Sequence, residues 1–155
     1  MKILVTGGTG LIASRFIDKF PAYDVTVLTR KVITAQKTLP HRVALIDSLD
    51  GLSDLDEFDA VINLAGEPII DHRWTLSQKA KISESRWLTT QKLVALINSG
   101  RNPPSVFLSG SAVGVYGDQG DTLLDERSEA VSADFASELC SNWEYLANQV
   151  NKTTR

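Results

Sequence analysis

Residues 7 to 13 read Gly7-Gly8-Thr9-Gly10-Leu11-Ile12-Ala13. Glycines lack a Cβ, so a backbone rich in them can turn tightly and come close to an anion. The apolar run Ile3-Leu4-Val5 stands just before them. After them, Leu11, Ile12, Phe16, Ile17 and Phe20 recur at helical spacing. A strand that turns through glycines into a helix aims unpaired N–H groups and a partial positive charge at whatever lies on the turn. A pyrophosphate fits that description. Gly7, Thr9, Gly10, Leu11 and Ile12 are therefore candidate contacts to a dinucleotide. The spacing is Gly-x-x-Gly-x-x-Ala, with Ala13 where a third glycine is usual. A methyl there loosens helix–strand packing slightly and leaves the phosphate room.

The type of dinucleotide is legible about 20 residues on, where NAD-binding proteins place an acid for the ribose 2′-hydroxyl. Here the second apolar run ends in Thr29-Arg30-Lys31. A carboxylate would repel a 2′-phosphate, whereas Thr29 and Arg30 would bind it through charge-assisted hydrogen bonds. The Arg30 guanidinium can also stack on adenine. NADP(H) is the expected cofactor, unless Arg30 and Lys31 merely begin a polar loop. Asp47 follows the third run, where it either touches the adenine edge or is a solvated turn aspartate.

Groups for proton transfer are few. Glu67 follows Asn63-Leu64-Ala65-Gly66 at the carboxyl end of a fourth apolar run, where ligands bind in parallel sheets. Leu64, Ala65 and Gly66 would line the cofactor ribose. Glu67 is either an acid/base or a helix cap. Tyr116 is the nearest phenol, and either faces the nicotinamide or packs its own loop. Arg86 either contacts substrate or cofactor phosphate, or extends to water. His41 and His72 are too few and too far apart for a metal site, and none is expected. Cys140 is the single cysteine, so an intrachain disulfide is impossible.

These residues need elements to position them. Apolar runs at 2–6, 24–29, 42–46, 59–64 and 106–108 read as strands. Helical patterns follow the first run and cover 75–98, through Leu76, Ala80, Trp87, Val94 and Ile97, and 133–150, through Phe135, Leu139, Trp143, Leu146 and Val150. A Gly- and Asp-rich loop spans 113–131. Strands joined by crossovers make a parallel sheet, and near-continuous apolar strands mean helices on both faces. The fold class is α/β, a Rossmann-like doubly wound sheet of about five strands in the order 3-2-1-4-5.

A length of 155 residues makes one domain. Apolar residues at 43% supply a core and exclude disorder. A net charge of −3 offers no footprint for nucleic acid. No apolar run approaches the roughly 18 residues of a membrane span, and no secretory signal is legible. A cytoplasmic location is expected.

Residues 6–13 (TGGTGLIA), 63–75 (NLAGEPIIDHRWT) and 109–118 (SGSAVGVYGD) together resemble the atypical extended short-chain dehydrogenase/reductases, the nucleoside-diphosphate-sugar epimerase and cell-division-inhibitor-like group. Gly66-Glu67-Pro68 with Arg73-Trp74-Thr75 is the most specific element. The resemblance covers the whole chain but only the N-terminal half of such a protein. It implies a truncated dinucleotide-binding domain over 1–155, without the sixth and seventh strands and the substrate domain. It also implies that Ser111 matches the catalytic serine, that Ser109 borders the cofactor, and that Arg86 stands where extended members often carry Asn. The superfamily's Tyr-x-x-x-Lys pair is missing, because Phe135 and Leu139 stand in its place. Two functions remain open: the cofactor half of an NADP-dependent sugar-nucleotide epimerase-like oxidoreductase, or a non-catalytic NADP(H) binder or sensor. Self-association is expected, either through the two long helices with Trp87, Trp143 and Leu146 as anchors, or through an exposed edge at Val106–Leu108.

Overall fold

The computed structural model describes residues 1–131 and 134–155. Five parallel strands, β1 (Lys2–Thr6), β2 (Asp24–Leu28), β3 (Ala44–Ile46), β4 (Ala60–Asn63) and β5 (Val106–Ser109), form one sheet in the order β3-β2-β1-β4-β5. The expected class and strand order are thus observed. Register brings the strand ends level: Thr6 lies opposite Leu28 and Asn63, and Asn63 opposite Ser109. The polar ends of three neighbouring strands therefore meet on one edge of the sheet.

Alternation along β1 builds a core on each face. Ile3 and Val5 pack with Val25, Val27, Ala13 and Ile17, the last two from α1 (Leu11–Lys19). Leu4 packs on the other face with Val61, Phe107 and Leu93, Val94 and Ile97 of α3 (Leu76–Ser99). Each fully buried large side chain contributes about 1.5–3 kcal/mol. The fourth helix, α4 (Phe135–Ala147), packs along α3.

Three expectations change. No element was expected between residues 29 and 42, yet Val32–Thr38 forms a short helix, α2. Ala35 is its only buried residue, too little to print a hydrophobic period. On α3 the buried face runs through Gln78, Ile82, Thr90, Leu93 and Ile97, while Leu76 is 89% exposed and Ala80 is exposed. Val94 and Ile97 of the expected face are in the core and Trp87 is half-buried, so the difference is confined to the first turns, where polar Gln78 takes the buried position beside Leu76 and Ala80. A single 3-10 turn, Val113–Tyr116, stands at the start of the expected 113–131 loop. Residue 133, the expected start of the last helix, lies outside the described residues.

The expected edge and anchors also differ. The Phe107 N–H on β5 donates to the Arg155 carbonyl (2.8 Å), and the Arg155 N–H donates to Ser105 O (3.0 Å). The last residue thus forms one parallel rung beside Val106, and the edge is partly covered. Trp143 is 7% exposed, and its indole donates inward to Thr90 Oγ1 (2.9 Å). Trp87 Nε1 donates to Leu139 O (3.1 Å). Both tryptophans are used within the chain, Trp143 buried and Trp87 half-buried at the α3–α4 contact.

Candidate functional site

Gly7 ends the first strand with φ 70°, and a Cβ there would lie 2.5 Å from Leu64 O. Only glycine satisfies both demands. Gly8 is confined by Val27, whose Cγ1 would lie 2.5 Å from an added Cβ. The Gly10 N–H closes the turn onto Gly7 O (2.9 Å), and α1 begins at the next residue with no side-chain cap and no acid in its first turn. The first-turn N–H groups therefore face outward without a competing side chain. Leu11 and Ile12, 75% and 70% exposed, project beside them.

A buried polar network holds the neighbouring loop. Thr6 Oγ1 donates to Asn63 Oδ1 (2.8 Å) and accepts from the N–H groups of Leu64 (3.1 Å) and Ala65 (3.0 Å). Asn63 Nδ2 donates to Thr90 Oγ1 (2.7 Å) and to Ser109 Oγ (3.3 Å). With Trp143 also donating to Thr90, the network joins β1, β4, β5, α3 and α4 at the level strand ends. Thr6, Asn63 and Thr90 are buried, so each unmet group would cost about 1–3 kcal/mol. The sequence reading missed Thr6, Thr90 and the polar role of Trp143. The available signal was a polar residue closing each of three apolar strands.

Two cavities lie along this edge. One, of about 390 Å³, is lined by Gly7, Gly10, Thr29, Arg30, Gly66 and Thr89 among others. The other, of about 570 Å³, is lined by Ile12, Trp74, Arg86, Ser111, Cys140 and Trp143 among others. Gly7, Gly10 and Leu64 belong to both, so the cavities form one trough over the glycine turn. It crosses the sheet where strand order reverses, between β1 and β4. That is the switch point where such sheets bind ligands.

At the first end, the Thr29 N–H donates to Ile46 O (2.9 Å), and Arg30 extends outward, its side chain 83% exposed. Its Nη2 lies 3.7 Å from Glu67 Oε2. Glu67 therefore reaches toward the second strand's end and lines neither cavity. Asp47 is exposed and also outside both linings.

At the second end, Ser111 Oγ donates to the Glu144 carboxylate on α4. Glu144 was not singled out from the sequence, because nothing in its spacing ties it to Ser111. Phe135 meets Trp74 edge-on at 5.3 Å, and Leu139 lines the wall, so the two positions of the missing pair are apolar. Tyr116 ends the 3-10 turn, half-buried, and lines neither cavity. Arg86 Nη1 donates to Glu67 O (3.1 Å) and Ile82 O (3.0 Å), and its guanidinium lies 5.4 Å from the Trp143 ring centroid. Burial pushes its pKa below the ordinary arginine value, while Cys140 and Glu67 act in the opposite direction. Burial likewise pushes the Cys140 thiol up. Among the described residues, no group of three or more His, Cys, Asp or Glu side chains could hold a metal ion. Nor is any helix among them long and apolar enough to cross a membrane.

A glycine turn feeding a helix N-terminus at the switch point of a parallel sheet defines a Rossmann-like domain. Residues 3–145 match the NAD dependent epimerase/dehydratase family, and the chain belongs to it. It is 34% identical to the chloroplastic homolog of epimerase family protein SDR39U1 from Arabidopsis thaliana, covering 100% of this chain and 46% of that protein. The crystal structure of human SDR39U1 (isoform 2) with NADPH is 31% identical, with a TM-score of 0.85 over 100% of this chain and 51% of the other. A nucleoside-diphosphate sugar epimerase from Corynebacterium glutamicum is 31% identical, with a TM-score of 0.75 over 99% of this chain and 31% of that one. The chain spans about half the length of the curated relatives it matches.

Proposed function

We propose that this chain is the NADP(H)-binding part of an epimerase-like oxidoreductase acting on a nucleoside-diphosphate sugar. The observation that carries the reading is the single trough, with Arg30 at one end, the glycine turn in the middle and Ser111 at the other. The similar human protein was solved with NADPH, and the similar bacterial one is a sugar epimerase. The N–H groups of the Gly7–Ile12 turn would hold the pyrophosphate, with Thr9 beside them. Thr29 and Arg30 would hold the 2′-phosphate, Leu64–Gly66 and Ser109 would border the ribose, and Arg86 would close the inner wall. The bound dinucleotide supplies a hydride acceptor or donor. Ser111 Oγ would take the substrate hydroxyl proton as its own proton passes to Glu144. Ser111 suits this role better than Tyr116 or Glu67, because it alone of the three lines the trough.

The substrate domain would lie in the additional length that the relatives have. A cytoplasmic location and a homodimer complete the proposal. A second reading, a binder without turnover, is favoured by one observation: Phe135 and Leu139 offer neither a proton nor a charge where the superfamily keeps its dyad. Trp74 and Trp143 line the second cavity, so intrinsic fluorescence should report binding. NADPH should quench it at lower concentration than NADH, and absence of any quenching would sink both readings. In a protein that includes the additional length of the relatives, a panel of nucleoside-diphosphate sugars then separates them: substrate-dependent turnover with bound NADP(H) supports the oxidoreductase, and tight NADPH binding with no turnover of any sugar supports the binder.

A further inference from the structure

Glu67 is held by its backbone and reaches out by its side chain. Its N–H donates to Ser85 Oγ (2.8 Å) and its carbonyl accepts from Arg86 Nη1 (3.1 Å), both groups from α3. Thus anchored, its carboxylate meets Arg30 Nη2 at 3.7 Å. Arg30 lines the first cavity, and Glu67 stands outside the lining, between Gly66 and Pro68, which belong to it. Thr29 and Arg30 line it from the end of β2, and Gly66 and Pro68 line it from the loop after β4. The ion pair therefore lies beside the end assigned to the adenosine.

The geometry points to Glu67 as a specificity-determining residue that competes with the cofactor's 2′-phosphate for Arg30 and moderates the preference for NADPH over NADH. This rests on the proposed NADP(H) reading. A phosphate arriving at Arg30 must share that cation with a carboxylate already there, and two anions on one guanidinium repel each other. NADH carries a 2′-hydroxyl instead. A hydroxyl can donate to a carboxylate, which is the contact an acidic residue makes in NAD-binding sites. Here that acid would come from the loop after β4 and not from the end of β2. Glu67 thus disfavours one cofactor and favours the other from the same position. Arg30 is too exposed for the pair to fix its side chain firmly, so competition outweighs any ordering of Arg30.

The test is the ratio of NADPH to NADH affinity, measured by calorimetry on the wild-type chain, Glu67→Gln, Arg30→Ala and the double variant. Gln keeps the size and the backbone contacts and removes the charge. We expect Glu67→Gln to raise the ratio at least fivefold, and by a smaller factor when Arg30 is already Ala, where only the 2′-hydroxyl contact and direct repulsion remain. An unchanged ratio, or one that falls, overturns the proposal. A fall would show Glu67 to be an orienting support for Arg30. A wild-type ratio of one or below overturns the NADP(H) preference alone, since the effect of Glu67→Gln on the ratio is read separately. No binding of either cofactor by any variant overturns both.

Discussion

Arg30 and Gly7 show how two residues of one site fail in different ways. Arg30 makes no contact in the core, so its replacement should leave the fold alone and act on the ligand. Arg30→Ala is expected to weaken NADPH about ten- to a hundredfold, the value of a charge-assisted contact of about 1.5–3 kcal/mol, with little effect on NADH. Equal losses for both cofactors would place the 2′-phosphate elsewhere. Gly7 is bound to the fold itself. Gly7→Ala forces a side chain into positive φ and against the Leu64 carbonyl, which costs on the order of 1–3 kcal/mol. At Gly10 an added Cβ meets only Gly7 O, at 3.1 Å. Gly10→Val should therefore melt close to wild type yet lose NADPH binding, because its branches occupy the anion's place. Comparing melting temperatures and binding for the two variants checks both statements. A Gly10→Val that still binds NADPH would move the pyrophosphate off this turn.

Elements are joined here by polar contacts as much as by apolar ones. Thr90 accepts from both Asn63 and Trp143 in a buried setting. Thr90→Val keeps the shape and leaves two donors unmet, so urea unfolding should show a loss of about 2 kcal/mol or more. A loss below about 0.5 kcal/mol would mean that the network is not a tie between strands and helices. Helix α4 begins with a capping box, in which the Asp134 carboxylate accepts the Ser137 N–H (2.9 Å) and the Asp134 N–H donates to Ser137 Oγ (3.1 Å). The Ser137 N–H holds the Asp134 pKa below its ordinary value. A carboxyl with a lowered folded pKa stabilises above its unfolded value, about 3.9, and loses that effect as pH falls through the folded value. Asp134→Ala should therefore lower the melting temperature at pH 7 and differ less from wild type below about pH 3. A constant difference across that range would show that the carboxylate charge plays no part in the cap.

For the whole molecule, the question is which surfaces remain for a partner. With Trp87 and Trp143 used internally, helices α3 and α4 retain Leu76, Leu88 and Tyr145 as exposed large apolar groups. The edge of β5 offers Leu108, 56% exposed, beyond the single rung made by Arg155. Edge strands invite pairing, so the edge is the stronger of the two routes for the proposed self-association. Sedimentation equilibrium at micromolar concentration should show a species above 17.0 kDa, and Leu108→Lys should shift it toward monomer. A 17.0 kDa monomer at every concentration rules self-association out.

Local patterns were enough to read the class and the glycine turn, and the class carries the strand order with it. Apolar runs, helical period and the glycine turn are near-neighbour properties that one stretch of chain expresses by itself. The same holds for Thr29-Arg30, which a fixed offset places at the end of β2. What lay beyond reach depends on which distant side chains meet. Glu67 and Ser111 both looked like acid/base candidates, and both sit at carboxyl ends of strands. Only the folded chain turns Glu67 toward Arg30 and brings Glu144 to Ser111, 33 residues away in sequence. The missed α2 and the misread first turns of α3 have the same origin. A short helix with one buried residue carries no period, and a face whose first turn buries polar Gln78 does not look apolar there. Sequence alone therefore determined where the glycine turn stands and that Thr29 and Arg30 close the second strand. Tertiary structure decided which side chains face the trough, because burial and pairing are settled only when all the elements pack together.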